Sequence, residues 1–171
     1  MIDKILGRFS CRDFSNEKVK EEDLEKILES GRWAPSGKNV QSWRFVIIKD
    51  TSEKRQKLAE LTTSGYVIMQ APINIIVLLD LTISYERTKN IQGIGACIEN
   101  MLIAANILGY GTCWIGQILN DPSIASKALT LLEIDKSKYE LMAIIALGVP
   151  SAGPKSRKRI DLSELIIKKY E

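Results

Sequence analysis

Two clusters of basic and hydroxyl side chains stand near opposite ends of this chain, Arg8-Phe9-Ser10-Cys11-Arg12 and Lys155-Ser156-Arg157-Lys158-Arg159. Arginines alternating with a serine suit a phosphate monoester: each guanidinium can hold its oxygens in pairs, and the hydroxyl adds a donor. Either run taken alone also reads as solvated surface charge. Nucleic acid is a poor fit, because no aromatic residues for base stacking are interleaved with the second run. The net charge is only +3, from 24 basic and 21 acidic residues, too mild for bulk electrostatic binding but compatible with a local phosphate pocket.

The chain contains no histidine. That removes Ser-His-Asp and Cys-His catalysis, the HExxH metalloprotease motif and histidine-bearing zinc sites. Chemistry near neutral pH must then come from other side chains, backbone dipoles or a cofactor with its own reactive centre. The stretch Gly31-Arg32-Trp33-Ala34-Pro35-Ser36-Gly37-Lys38-Asn39 looks like a phosphate-binding P-loop but is not one. Its glycines are one residue too far apart, Asn39 stands where a magnesium-holding Ser or Thr belongs, and a helix precedes it instead of a strand. Gly93-Ile94-Gly95 and Gly109-Tyr110-Gly111 lack the third glycine of a dinucleotide fingerprint. Cys11, Cys97 and Cys113 cannot all pair within one chain and form no CxxC, so they read as buried reduced thiols of a cytoplasmic protein. The N-terminus carries charge throughout, and no run of 18 apolar residues occurs; neither a signal peptide nor a membrane span is expected.

The elements that must position these groups follow from periodicity. Residues 21–33 read as a helix, with Leu24, Ile27, Leu28 and Gly31 on one face, acids in the first turn and Pro35 as the stop. Ala34 to Asn39 is turn chemistry, and Trp43 to Ile48 a strand. Residues 51–62 read as a helix. The run Ile73 to Leu79 and the run Leu141 to Val149 read as strands buried on both faces. Between them, residues 90–108 form the longest helix, apolar nearly all round and closed by Gly109, as at a core centre or a subunit interface. Residues 112–115 make a short strand, 122–132 a helix and 162–169 a small terminal helix. Trp33 and Trp43 read as core residues. With 171 residues, 45% of them hydrophobic, one α/β domain spanning 1–171 is expected, with helices packed around a sheet.

Taken in order, the segments resemble the FMN-dependent nitroreductase family across nearly the whole chain. They are Arg8-x-Ser10-x-Arg12, then Ala34-Pro35-Ser36-Gly37-Lys38-Asn39-Val40-Gln41-Ser42-Trp43-Arg44-Phe45, the apolar strand after Ala71-Pro72, Leu108-Gly109-Tyr110-Gly111-Thr112-Cys113-Trp114-Ile115-Gly116, and Leu147-Gly148-Val149-Pro150 followed by Lys155-x-Arg157. No single piece is decisive; their order is.

The resemblance implies an α/β (α+β) three-layer sandwich. Its central, mostly antiparallel sheet would be flanked by helices, with the long buried helix at a homodimer interface and an FMN between the subunits. Arg8, Ser10, Arg12, Lys155 and Arg157 would hold the phosphate and ribityl chain, with Phe9 standing where the family often has Arg or His. Pro35, Ser36, Gly37 and Asn39 would reach the ring from the partner. Trp114, Ile115 and Gly116 would run along the flavin, with the Gly116 amide near N5. The implied activity is transfer from NADPH or NADH, through the flavin, to a nitroaromatic or quinone by a ping-pong mechanism, with no catalytic side chain and no metal. A flavin carrier or sensor, reductive dehalogenation, flavin breakdown and a phosphate-binding module without redox function remain alternatives. Ser42 departs from the family's usual proline. The covering insertion of larger members is missing; residues 81–90 are the candidate remnant of a lid, with Tyr85 or Arg87 facing the substrate.

Overall fold

A computed structural model describes residues 2–49, 51–154 and 158–170. The sequence runs α1 (Ile2–Leu6), α2 (Glu21–Arg32), β1 (Trp43–Lys49), α3 (Glu53–Ala59), α4 (Gly65–Gln70), β2 (Ile73–Asp80), α5 (Arg87–Ile107), β3 (Gly111–Ile115), α6 (Pro122–Leu131), β4 (Tyr139–Gly148) and α7 (Leu162–Leu165). The four strands form one sheet in the order β1-β2-β4-β3, antiparallel throughout.

Strand alternation explains the layers. On β2, Ile73, Ile75, Val77 and Leu79 face one side, where they pack with Leu24, Ile27, Ile94, Cys97, Ile98 and Met101 of α2 and α5. Ile76 and Leu78 face the other, against Leu58, Val67, Ile68, Ala128 and Leu129 of α3, α4 and α6. All eight β2 residues are buried, which is why this strand shows no polar alternation. The result is the expected three-layer sandwich.

Several local expectations meet the structure at slightly different places. The helix expected over 51–62 stops at Ala59, and a second helix not read from the sequence occupies Gly65–Gln70. The break lets Gly65 lie on the Ala59 carbonyl so closely that a Cβ there would collide with it. The terminal helix covers only Leu162–Leu165. Gly109 does end α5 in the left-handed region, at φ 90°. Trp43 is buried, but Trp33 is 74% exposed. Six residues past Ile27, Trp33 has turned about 240° from the buried stripe, and it lies outside under the Arg32 guanidinium while donating to Glu29. The long helix α5 buries Asn90, Gly93, Ile94, Cys97, Ile98, Met101, Leu102 and Ala105. Its Ile91 and Ile107 and the following Leu108 stay exposed within this chain. Among the described residues no helix is long and apolar enough to cross a membrane.

The N-terminus of α2 is tied to the turn after α5 by a polar contact. Tyr110 Oη donates to Asp23 at 2.9 Å, and Lys26 donates to the same carboxylate at 3.0 Å. The Lys26 hydrogen bond first, then that of Tyr110, holds the Asp23 carboxyl below its ordinary value. A lowered folded value contributes stability above the unfolded pKa of about 4 and loses it as the pH falls through the folded value. Asp23→Ala is therefore expected to lower the urea midpoint at pH 7, with the gap to the parent protein closing below about pH 4. A gap that stays constant down to pH 3 would remove this account.

Candidate functional site

The N-terminal basic cluster gains its position from a non-local contact. Ser10 makes a parallel bridge with Thr112 on β3, the Cys11 amide donates to the Thr112 carbonyl at 2.8 Å, and Phe14 bridges Pro150 just past β4. Segment 10–14 thus lies along the ends of β3 and β4. Room for it comes from a glycine pair: Gly111 and Gly148 face each other across the two strands. A Cβ on Gly111 would stand 2.6 Å from Cys11 Cβ, and one on Gly148 would stand 2.8 Å from Phe14 Cδ1.

Against this segment lies a cavity of about 100 Å³ lined by Phe9, Ser10, Cys11, Arg12, Asp13, Ala152 and Gly153. That is roughly three times the ~30 Å³ share of a water molecule, room for a phosphate group. On the C-terminal side the cavity wall is Ala152 and Gly153, which precede the second basic cluster in the sequence. Lys155 and Arg157 themselves lie outside the described residues. Of the two nearby arginines, Arg8 is mostly buried and faces Glu99 of α5 at 3.5 Å. Arg12 is exposed, and among the described residues its guanidinium makes only a long 3.4 Å contact, to the Ser10 carbonyl. Arg12 is the freer to meet an anion.

From Thr112 the strand runs about 13 Å to Gly116 at 3.3 Å per residue. The β3–β4 ladder ends at Ile115, so Gly116 lies past the last paired residue. Ile115 is buried, whereas Trp114 is 42% exposed, with its indole nitrogen beside Gly116. The following Gln117 accepts from the hydroxyls of Thr63 and Ser64. These two hydroxyls, in the turn between α3 and α4, were not anticipated; the small polar run Thr62-Thr63-Ser64-Gly65 was the available signal.

Pro35, Ser36, Gly37 and Asn39 belong to a different place. Their loop feeds β1, and β1 and β3 are opposite edges of the sheet, about 14 Å apart at the usual strand spacing. The loop rests on α5, where the position of a Gly93 Cβ is 3.4 Å from Ser36 Cβ. It is braced internally by the Gln41 amide donating to Ser36 Oγ at 3.0 Å. Lys38, Asn39 and Gln41 all have positive φ, at 53°, 54° and 48°, a costly arrangement for non-glycine residues.

In segment 81–90 the two candidate substrate residues separate. Arg87 is committed to a two-pronged pair with Glu140 of β4. Tyr85 is 38% exposed and its hydroxyl sits against Gly37. Arg87→Ala is expected to change stability by less than about 1 kcal/mol, as for exposed ion pairs, and to leave every Michaelis constant unchanged. Steady-state kinetics beside a thermal melt would check both.

The site is therefore split within one chain: a phosphate-sized cradle and an open strand end at one sheet edge, and a strained loop at the other. Together with the antiparallel three-layer fold, this defines the class: the chain belongs to the nitroreductase family, whose sequence pattern matches residues 5–76 and 62–149. Among solved structures it is similar to a protein of Desulfovibrio desulfuricans, assigned as a nitroreductase and crystallised in complex with FMN. The identity is 36%, the TM-score 0.92, and the match covers 99% of this chain and 96% of that one. An Archaeoglobus fulgidus protein assigned as an NADH dehydrogenase/NAD(P)H nitroreductase is 33% identical over 147 residues, 85% of this chain and 83% of the relative. The FMN reductase [NAD(P)H] of Bacillus subtilis is 25% identical over 178 residues, 94% of this chain and 70% of the relative.

Proposed function

We propose that this chain is a single-domain, FMN-dependent oxidoreductase that takes electrons from NADPH or NADH and passes them to a small electron-poor acceptor, a nitroaromatic or a quinone. The observation that carries the reading is the phosphate-sized cavity at Ser10 and Arg12, joined by β3 to the open strand end at Gly116. The FMN complex of the Desulfovibrio relative and the activities named for the other two support the same reading.

Bound FMN would supply the hydride-accepting centre, which protein side chains do not provide. The chain's own part is to bind and orient. Arg12 and the Ser10 hydroxyl meet the phosphate, Arg8 braces the segment through Glu99, and Lys155 and Arg157 complete the anion site on sequence grounds. Positive charge from Arg12 at the pyrimidine end would favour the reduced, anionic ring. The Gly116 amide would serve as the donor to the flavin N5, a role that needs no titrating group. Reductant and acceptor use one open face in turn, which is the ping-pong order.

A homodimer completes the site. Pro35, Ser36, Gly37 and Asn39 lie at the sheet edge opposite the cradle of their own chain, which supports their reaching the ring of a flavin held by the partner. Exposed apolar residues support association. Trp33, Ile91, Ile107 and Leu108 lie on or near the α2–α5 face, and the C-terminal segment exposes Ile160, Leu162, Leu165, Ile167 and Tyr170.

The deciding measurement is the visible spectrum of the purified protein before and after anaerobic addition of NADPH or NADH. Oxidised-flavin bands that bleach are expected. Bands that persist would favour a carrier or sensor, and a colourless protein that FMN cannot reconstitute would end the proposal. Sedimentation at micromolar concentration is expected to give twice the chain mass.

A further inference from the structure

Three features meet beside the strained loop. The Tyr85 ring is exposed, and two ammonium groups approach it: Lys38 Nζ at 4.9 Å and Lys89 Nζ at 5.8 Å from its centroid. They come from three separate segments, the 36–41 loop, the 81–86 turn and the first turn of α5. Among the described residues neither ammonium has a carboxylate oxygen within ion-pair distance. The nearby Glu86 carboxylate is engaged elsewhere, accepting the Thr88 and Lys89 amides at 2.9 Å each to cap α5.

The arrangement is held rather than incidental. Lys38 sits at φ 53° and ψ 18°, a backbone state that costs a non-glycine residue about 1 kcal/mol or more. Gly37 has no side chain, which is what lets the Tyr85 hydroxyl approach it. Asn90, 2% exposed, donates to Ser84 Oγ and so fixes the residue before Tyr85. Both ammonium groups lie within 6 Å of one ring centroid, so two positive charges gather around the exposed Tyr85, and an anion bound beside the ring gains from both.

We propose that Lys38, Lys89 and Tyr85 form a subsite for a phosphate group of the dinucleotide reductant. It rests on the oxidoreductase reading, because the same loop would border the flavin of the partner subunit. The lysines supply charge-assisted hydrogen bonds to phosphate oxygens, and the Tyr85 hydroxyl supplies a further donor. The subsite discriminates among hydride donors by their phosphates and takes no part in the hydride step.

The test uses flavin-loaded protein that a phosphate-free donor, 1-benzyl-1,4-dihydronicotinamide, already bleaches, so a failure here leaves the flavoenzyme reading standing. Lys89→Ala and the double variant Lys38→Ala/Lys89→Ala are compared with the parent, and Lys89→Arg serves as the rescue. Roughly a five- to tenfold rise in KM for the dinucleotide is expected, with kcat unchanged and the benzyl donor unaffected. A rise shared by NADH and NADPH assigns the subsite to the bridging pyrophosphate; a rise confined to NADPH assigns it to the 2′-phosphate. Calorimetric titration with inorganic pyrophosphate and with adenosine 2′-monophosphate reads the same contacts without turnover, and at least one of the two should bind more weakly to the double variant. Unchanged constants for both dinucleotides and both probes would overturn the proposal. So would an equal loss with the benzyl donor.

Discussion

Arg12→Ala weakens FMN binding by roughly 10- to 100-fold, the equivalent of one charge-assisted phosphate contact at about 1.5–3 kcal/mol. The guanidinium is exposed, borders the phosphate-sized cavity and among the described residues makes only a long contact to the Ser10 carbonyl, so little of its interaction is spent there. Its removal leaves no buried charge unpaired, and the fold should melt at nearly the parent temperature. The loss should shrink as salt is raised, because the site is open to solvent. Fluorescence quenching of FMN titrated with apoprotein gives the affinity directly. A change of less than twofold would mean that the phosphate sits elsewhere. Arg8→Ala behaves differently: Arg8 is mostly buried against Glu99, so its removal should cost stability as well as affinity.

Gly111→Val tests the architecture beneath that cradle. The new Cβ would meet Cys11 Cβ at 2.6 Å, Cys11 Sγ at 2.8 Å and Pro150 Cβ at 3.3 Å. The first of these atoms is fixed to backbone, so segment 10–14 must move off β3. Overpacking of this kind costs about 1–3 kcal/mol, and here it also breaks the Ser10–Thr112 bridge that sets the cradle. A lowered urea midpoint and loss of copurifying flavin are expected together. Gly148→Val should do the same through Phe14 and Pro72, whose Cδ atoms would lie 2.8 and 2.6 Å away. Destabilisation with full flavin affinity would show that the cradle does not depend on the glycine pair.

Both predictions concern a contact that no local pattern announces. Ser10 and Thr112 are far apart in sequence, and nothing in Arg8-Phe9-Ser10 specifies β3 as its neighbour. The resemblance put these segments in one site; the bridge and the glycine pair explain how they reach it. Arg87 shows the converse. Its type and loop position suited a substrate contact, yet Glu140 from β4 claims it, and a partner 53 residues away leaves no local signature.

What the amino-acid order determined by itself was everything governed by short-range periodicity and chain stiffness. The continuous apolar runs of β2 and β4, the Leu24–Ile27–Gly31 stripe of α2, the length of α5 and its left-handed stop at Gly109 all follow from interactions within a few residues. The tertiary structure decided the rest. It set the strand order β1-β2-β4-β3, cut the helix after Ala59 so that Gly65 could pack on it, and left Trp33 outside the core of its own chain. It also placed the 35–39 loop at the opposite sheet edge from the cradle. These depend on which surfaces meet across long stretches of chain, and close packing selects them only when the whole core is assembled.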